Sequence, residues 1–373
     1  MIYLDYAANT PVDNEVLKCF CKAAEDFPGN PNSQHSAGRA AKDKMLQITE
    51  SIAALLKCKP SEIIYTSGAS EANNLAIKGL VRSYRNKGKH IISTCLEHSS
   101  VSGVLTYLQE QGYEIELVDI KRDGSVDLDS LKRLIRSDTV LVSVCMVDSE
   151  LGTLQPINEI AEILKEYPDV HFHVDAVQAV GKVPVCFDGI DCLTLAPHKF
   201  FGICGCGILL KRDGVIIEPL IHGGASTTIY RSGTPAVALA AATEKALSLA
   251  LNNMEESYVY VQGLNWRLKD ALSVYPLVRI NSTSLATPYI LNISVKGIKA
   301  ADFQTALDEH GVCVSTKSAC SVPNTPSRPV FAVSGDKKNA MCSWRISLSR
   351  MTTDEEITEF LNIFDEIYRE KTL

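Results

Sequence analysis

Over its first two thirds the chain alternates short apolar runs with amphipathic stretches, and this pattern restricts the fold more than any other property of the sequence. EIIYT (62–66), HIISTC (90–95), YEIELVDI (113–120), TVLVSVCMV (139–147) and HFHVDA (171–176) have the length and β-branched content of strands. Between them, stretches such as SEANNLAIKGLVRSYRNKG and SLKRLIRSDT carry apolar residues at helical spacing. Strands joined through helices run parallel and are buried on both faces, so the pattern predicts a mainly parallel, doubly wound sheet.

After TPAVALAAATEKALSLALNNMEESYVYVQGLNWRLKDAL, read as one long helix, the texture changes. Short strands (LVRI, YILNISV), a helix AADFQTALDEHG, a turn-rich stretch and a final helix TDEEITEFLNIFDEIYREKTL predict a smaller α+β domain beginning near residue 255. Two domains also suit 373 residues, more than one core usually serves. With 37 basic against 44 acidic residues the net charge is -7, which argues against a nucleic-acid partner. No apolar run reaches the roughly 18 residues of a membrane span. MIYLDYAANTPVD carries acids where a secretory leader carries bases, so a cytoplasmic protein with no membrane partner is expected. The 12 cysteines are scattered in the manner of reduced thiols. The pairs Cys19/Cys21 and Cys204/Cys206 lack C-x-x-C spacing and no histidine cluster completes a ligand set, so no metal is expected.

Ligands of open parallel sheets collect beyond the carboxyl ends of the strands. Five features lie there: the turn Thr66 to Ser70, Glu97-His98, Asp148-Ser149-Glu150, Asp175 with Gln178, and His198-Lys199. The turn, leading from a strand into a helix, reads either as an anion site or as an ordinary capped helix start. Asp175 ends an apolar strand, where an unpaired carboxylate is costly; it calls for a cationic partner unless it caps a helix. Lys199 interrupts a second apolar run and is either a snorkelling or paired lysine or a functional one. Pyridoxal phosphate explains both together, because it requires a lysine for a Schiff base, a carboxylate at its pyridinium nitrogen and an anion pocket. Glycines 202, 205 and 207 let the chain turn behind that lysine.

The motifs YLDYAANTPVD, GNPNSQHSAGRAA, YTSGASEANNLAIKG, EHSSV, HVDAVQAVGK, HK, RSGT, STKSACS and SWRISLSR follow one another along nearly the whole chain. In them the sequence resembles the class V aminotransferase family and, within it, the cysteine desulfurases of the NifS and IscS type. The resemblance implies an α/β, fold-type I pyridoxal-phosphate-dependent transferase. Its divisions would be an N-terminal segment 1–15 associated with the small domain, a large cofactor-binding domain 16–254, and a small C-terminal domain 255–373 carrying the Cys320 loop.

The resemblance also implies residue roles. Lys199 is the Schiff-base lysine, Asp175 the pyridinium partner and Gln178 the donor to the phenolic oxygen, while His98 stacks on the ring and acts as acid or base. Ala69, Ser70 and His198 contact the phosphate, with Thr234 reaching across from a second subunit of a homodimer. Ser149 touches cofactor or substrate and Arg345 binds the substrate carboxylate. Cys320, in a polar, proline-rich stretch that reads as an exposed loop, accepts sulfur as a persulfide. The implied reaction converts L-cysteine to L-alanine and passes sulfur to an acceptor or scaffold protein, as in iron–sulfur cluster assembly. Three departures leave two alternatives open, another cofactor-dependent lyase or aminotransferase and a non-catalytic sulfur-transfer scaffold. Asp148-Ser149-Glu150 stands where the family has Asn-Asn-Glu, Ala196 where it has a hydroxyl, and Ala225-Ser226-Thr227-Thr228 where it has Gly-Gln-Glu-Arg.

Overall fold

A computed structural model describes residues 1–317 and 325–372, so Cys320 lies outside the described residues. The strands are β1 Ile2–Tyr3, β2 Ile63–Thr66, β3 His90–Ser93, β4 Glu114–Leu117, β5 Thr139–Cys145 and β6 His171–Asp175, followed by β7 Cys192–Leu195, β8 Gly207–Lys211, β9 Val278–Ile280, β10 Ile290–Val295, β11 Val312–Cys313 and β12 Ser343–Ser347. Seven of them form the large sheet in the order β2-β8-β7-β6-β5-β3-β4. Only β8 runs against its neighbours β2 and β7; the other pairings are parallel. The exception follows from connection length. The segment between β7 and β8 holds a single short 3-10 turn, Pro197–Lys199, and no crossover helix, so the chain can only fold back antiparallel.

All seven positions of β5 are buried, as a strand covered on both faces requires. On one face Val16, Met45, Ile48, Ile160 and Leu247 come from helices that pack over Val142 and Phe172. On the other, Leu75, Leu80, Val104 and Leu108 come from the helices Ala69–Ser83 and Ser99–Glu110. A second core gathers on the antiparallel sheet β12-β10-β9. There Phe303 stacks on Trp344 with centroids 5.3 Å apart, and Phe364 closes on both rings. The N-terminal Ile2 and Leu4 belong to this second core, carried there by parallel pairing of β1 with β11.

The long helix expected around residue 253 is two helices, Val237–Asn252 and Met254–Ser273. At Asn253, where one helix ends and the next begins, the Leu249 carbonyl accepts both the backbone N–H at 3.2 Å and the side-chain amide at 2.8 Å. Val237 to Leu247 then pack on the large core and Val261 to Leu272 on the small one. No helix among the described residues is long and apolar enough to cross a membrane.

Gly207, the first residue of β8, backs directly onto Gly68; a Cβ at 207 would lie 2.6 Å from the Gly68 carbonyl carbon. Gly207→Ala must displace that turn and is expected to cost about 1–3 kcal/mol in denaturant unfolding. Gly263→Ala, in a helix where an added Cβ meets nothing within 4 Å, is the control and should instead stabilise slightly.

Candidate active site

A cavity of about 370 Å³ opens at the carboxyl ends of β5, β6 and β7. Lys199 ends the 3-10 turn after β7, and its Nζ donates to the carbonyl oxygens of Ala7 at 2.9 Å and Ala8 at 2.6 Å. Burial first, and then Arg345, bring its pKa down to about 8 against the opposing pull of Asp5 and Asp175. The turn behind it differs from the glycine-based expectation in one respect. Phe201 itself takes a left-handed φ of 66°, held by a bond from its N–H to Thr10 Oγ1 (2.7 Å) and by the Asp13 N–H on its carbonyl (3.0 Å). Gly202 is required for space, since a Cβ there would lie 2.4 Å from Pro197 Cβ.

Asp175 ends β6 and is held by two amide donors. Its Oδ2 accepts from Asn73 Nδ2 at 2.8 Å and its Oδ1 from the Val177 N–H at 3.0 Å. Amide donors suffice because Asn73 sits in the wholly buried face of the helix Ala69–Ser83. The same Nδ2 donates to Ser100 Oγ (2.9 Å), which lies 2.9 Å from His98 Nδ1. The Ser100 backbone N–H also points at Nδ1 (3.1 Å) and can only donate, so Nδ1 is an acceptor and the ring proton sits on Nε2. Burial pushes the His98 pKa down, with Lys199 and Arg345 adding to it and Asp175 opposing, so the ring is neutral at pH 7. His98 therefore carries its N–H donor at Nε2 and borders the cavity.

Gln178 donates from Nε2 to the Ala7 carbonyl at 2.8 Å and accepts on Oε1 from Lys182 Nζ at 2.9 Å. At the other end of the cavity the helix Ala69–Ser83 begins at Gly68 with no side-chain cap. A Cβ on Gly68 would meet nothing within 4 Å, so the first-turn amides at Ala69 and Ser70 face open space. His198 stands nearby, its pKa lowered to about 4 by burial and by Lys199, Lys182 and His98.

Arg345 descends from β12 in the small core. Its Nη1 donates to the Ser149 carbonyl at 2.7 Å and its Nη2 to Asp5 Oδ1 at 2.8 Å, leaving a buried Nε without a partner. Ser149 thus contributes its backbone here. Ala196 is wholly buried and is not part of the cavity wall. Thr234 does not line the cavity within one chain; with Arg231 it borders an adjoining pocket of about 120 Å³ that shares Ser67. No cluster of three His, Cys, Asp or Glu that could hold a metal occurs among the described residues.

Sequence reasoning missed Asn73, Ser100, Asp5 and Lys182. Asn73 carried a signal, being a polar residue on the apolar face of an amphipathic pattern; the others become visible only when distant segments meet. The cavity's own features fit pyridoxal phosphate. An uncapped helix start suits a phosphate, a carboxylate satisfied by neutral donors can still accept a pyridinium proton, and a lysine with depressed pKa suits imine formation.

Residues 2–360 match the profile of the family described as Aminotransferase class-V. The chain is 38% identical over 371 residues to a cysteine desulfurase IscS of Dictyoglomus turgidum, covering 98% of this chain and 94% of that one. It is 35% identical over 370 residues to the mitochondrial cysteine desulfurase of Arabidopsis thaliana, covering 97% and 81%. Among solved structures it superposes on a NifS-like protein with a TM-score of 0.93 at 32% identity, covering 99% of both chains. It also matches SspA in complex with cysteine at a TM-score of 0.82 and 31% identity, covering 95% of this chain and all of the other. The fold is that of the α/β pyridoxal-phosphate-dependent transferases. The chain belongs to the class V aminotransferase family.

Glu97 lies beneath the site. Its Oε1 accepts from Thr94 Oγ1 (2.7 Å) and the Cys145 N–H (2.9 Å), and its Oε2 is buried without a partner. Burial above all, reinforced by Asp175, raises its pKa from 4.5 to about 8. Between those values the unfolded chain is ionised and the fold keeps the proton, so this group's contribution to stability falls as pH rises through the window. Glu97→Gln removes the titration. The stability of the variant relative to the parent should improve steadily from pH 5 to pH 8 and level off above it. A pH-independent difference in thermal melts would refute the assignment.

Proposed function

We propose that this chain is a pyridoxal-phosphate-dependent cysteine desulfurase that takes sulfur from L-cysteine and releases L-alanine. The observation that carries the reading is the convergence of Lys199, Asp175, Gln178 and His98 on one cavity that ends at an uncapped helix start. Lys199 would hold the cofactor covalently, Asp175 would keep its ring nitrogen protonated, and Gln178 would donate to its phenolic oxygen. Ala69, Ser70 and His198 receive the phosphate, and Thr234 of a second copy completes that pocket in a homodimer. When bound, the cofactor supplies the electron sink that lets an amino acid lose its Cα proton.

The chain's own residues do the rest. Arg345, a planar fork, takes the substrate carboxylate with Ser149 beside it. Lys199, half deprotonated near pH 8, moves the Cα proton when freed by substrate. His98 borders the same cavity, where it would stack on the cofactor and offer Nε2–H. The Cys320 thiolate attacks the substrate sulfur: an S–S bond forms, the Cβ–S bond breaks with its electron pair going to Cβ, and protons delivered to Cβ and Cα give alanine. Sulfur is oxidised to the persulfide level and Cβ is reduced to a methyl group. A thiol reductant or an acceptor protein then removes the sulfur.

Incubating the protein with L-cysteine and a thiol reductant should yield sulfide and alanine in equal amounts. Pyruvate with ammonia would replace this reading by a lyase. Borohydride reduction of the cofactor-loaded protein followed by peptide mapping should place the pyridoxyl group on Lys199, and an adduct elsewhere would remove that assignment. Cys320→Ala should keep the cofactor's visible absorption while losing sulfide and alanine production. Parental turnover by this variant would make Cys320 a bystander.

A further inference from the structure

Lys182 is a buried lysine with no part in the scheme above. It follows Gly181, whose φ of 75° turns the chain after β6 and whose Cα approaches closely enough that an added Cβ would lie 2.7 Å from Ala250 Cβ. Thus anchored, Lys182 sends its Nζ inward, and 2.9 Å away it meets Gln178 Oε1. The Gln178 amide is thereby fixed at both ends. Oε1 receives Lys182, and one Nε2 proton goes to the Ala7 carbonyl, the same oxygen that accepts from Lys199 Nζ. One Nε2 proton is left, and Gln178 borders the cavity.

We infer that Lys182 is a positioning residue for the cofactor site: by occupying Gln178 Oε1 it holds the free N–H of that amide toward the cavity. Without it Oε1 would be a buried acceptor with no donor, and such a group is costly. The amide relieves that cost by rotating Oε1 toward the cavity, which sets an acceptor against an oxygen ligand. Burial and the neighbouring Lys199 and Arg345 lower the Lys182 pKa to about 7. A neutral amine still carries N–H donors, so the hydrogen bond survives in either protonation state.

The inference rests on the pyridoxal phosphate reading, in which the Gln178 N–H meets the phenolic oxygen and favours its ionised form. The test uses the full-length, cofactor-loaded protein and reads the pH midpoint of its visible absorption band and the rate of cofactor loss on dialysis. Lys182→Met keeps the stem and removes the donor. It should raise the midpoint by about one pH unit. It should also speed cofactor loss about threefold, the effect of one modest hydrogen bond. In a Gln178→Ala background the same change should move the midpoint by less than about 0.2 unit, because Lys182 acts only through that amide. Lys182→Arg retains a donor, and the cavity of about 30 Å³ beside Lys182 has room for its extra bulk, so it should restore the parental midpoint. An unchanged midpoint in Lys182→Met overturns the inference, as does an equal shift in the Gln178→Ala background. Failure of the parental protein to bind cofactor would instead overturn the functional reading on which it stands.

Discussion

The site is organised around one half-buried amine. Lys199 borders the cavity, and its Nζ donates to two carbonyl oxygens, Ala7 and Ala8, that belong to the other end of the chain. This interaction fixes the N-terminal segment as a wall of the cavity. The Thr10 N–H and hydroxyl tie the same segment to the His198 carbonyl at 3.0 Å, and Asp5 ties it to Arg345. The large sheet provides the floor, the small domain provides the arginine, and the first ten residues join the two. Strand β1 pairs with β11 and not with the large sheet, and Ile2 and Leu4 belong to the small core.

Burial dominates the electrostatics in and around the cavity. It lowers the pKa of His198 to about 4, with Lys199, Lys182 and His98 adding to it, and that of Lys182 to about 7, with Lys199 and Arg345 adding. It raises the acids beneath, Glu97 to about 8 and Asp148 to about 7. Each of these groups is driven toward its neutral form. The open helix start and the Arg345 guanidinium lie at different walls of the same cavity.

Much of this was legible in the sequence because parallel sheets put chemistry at strand ends. Asp175, Lys199, His98 and the turn at Gly68 each follow an apolar run, and the period change from strand to helix locates them without further information. What stayed hidden was pairing across the chain. Nothing local says that Asn73, about one turn into its helix, faces Asp175, or that Ala7 offers its carbonyl to a lysine 192 residues away. Sequence reasoning weighed charge against charge at Asp175 and left unseen the two amide protons, from Asn73 and Val177, that hold the carboxylate in place. The single long helix failed because propensity continues through Asn253 while the two halves pack on different cores.

The departures from the family pattern lose some of their weight once they are placed. Arg345 takes its bond from the Ser149 carbonyl, which any residue supplies, so a shorter side chain at 149 leaves the arginine where it was. Ala196 lies buried behind the 3-10 turn, and its carbonyl, which accepts from the Lys199 N–H at 3.2 Å, does not depend on its side chain. Residues 225–228 are different. Thr227 borders the pocket shared by Arg231, Thr234 and Ser67, on the phosphate side of the cavity. Arg231 is committed there to Glu71, with Nε on Oε1 at 2.9 Å, while Glu71 Oε2 accepts the Ser67 N–H at 2.7 Å. This pair holds the turn that presents the anion site, and the altered segment lies beside it. Of the three departures, the segment 225–228 is therefore the one that borders a pocket beside the helix start, and under the proposed function a change there acts at the phosphate end.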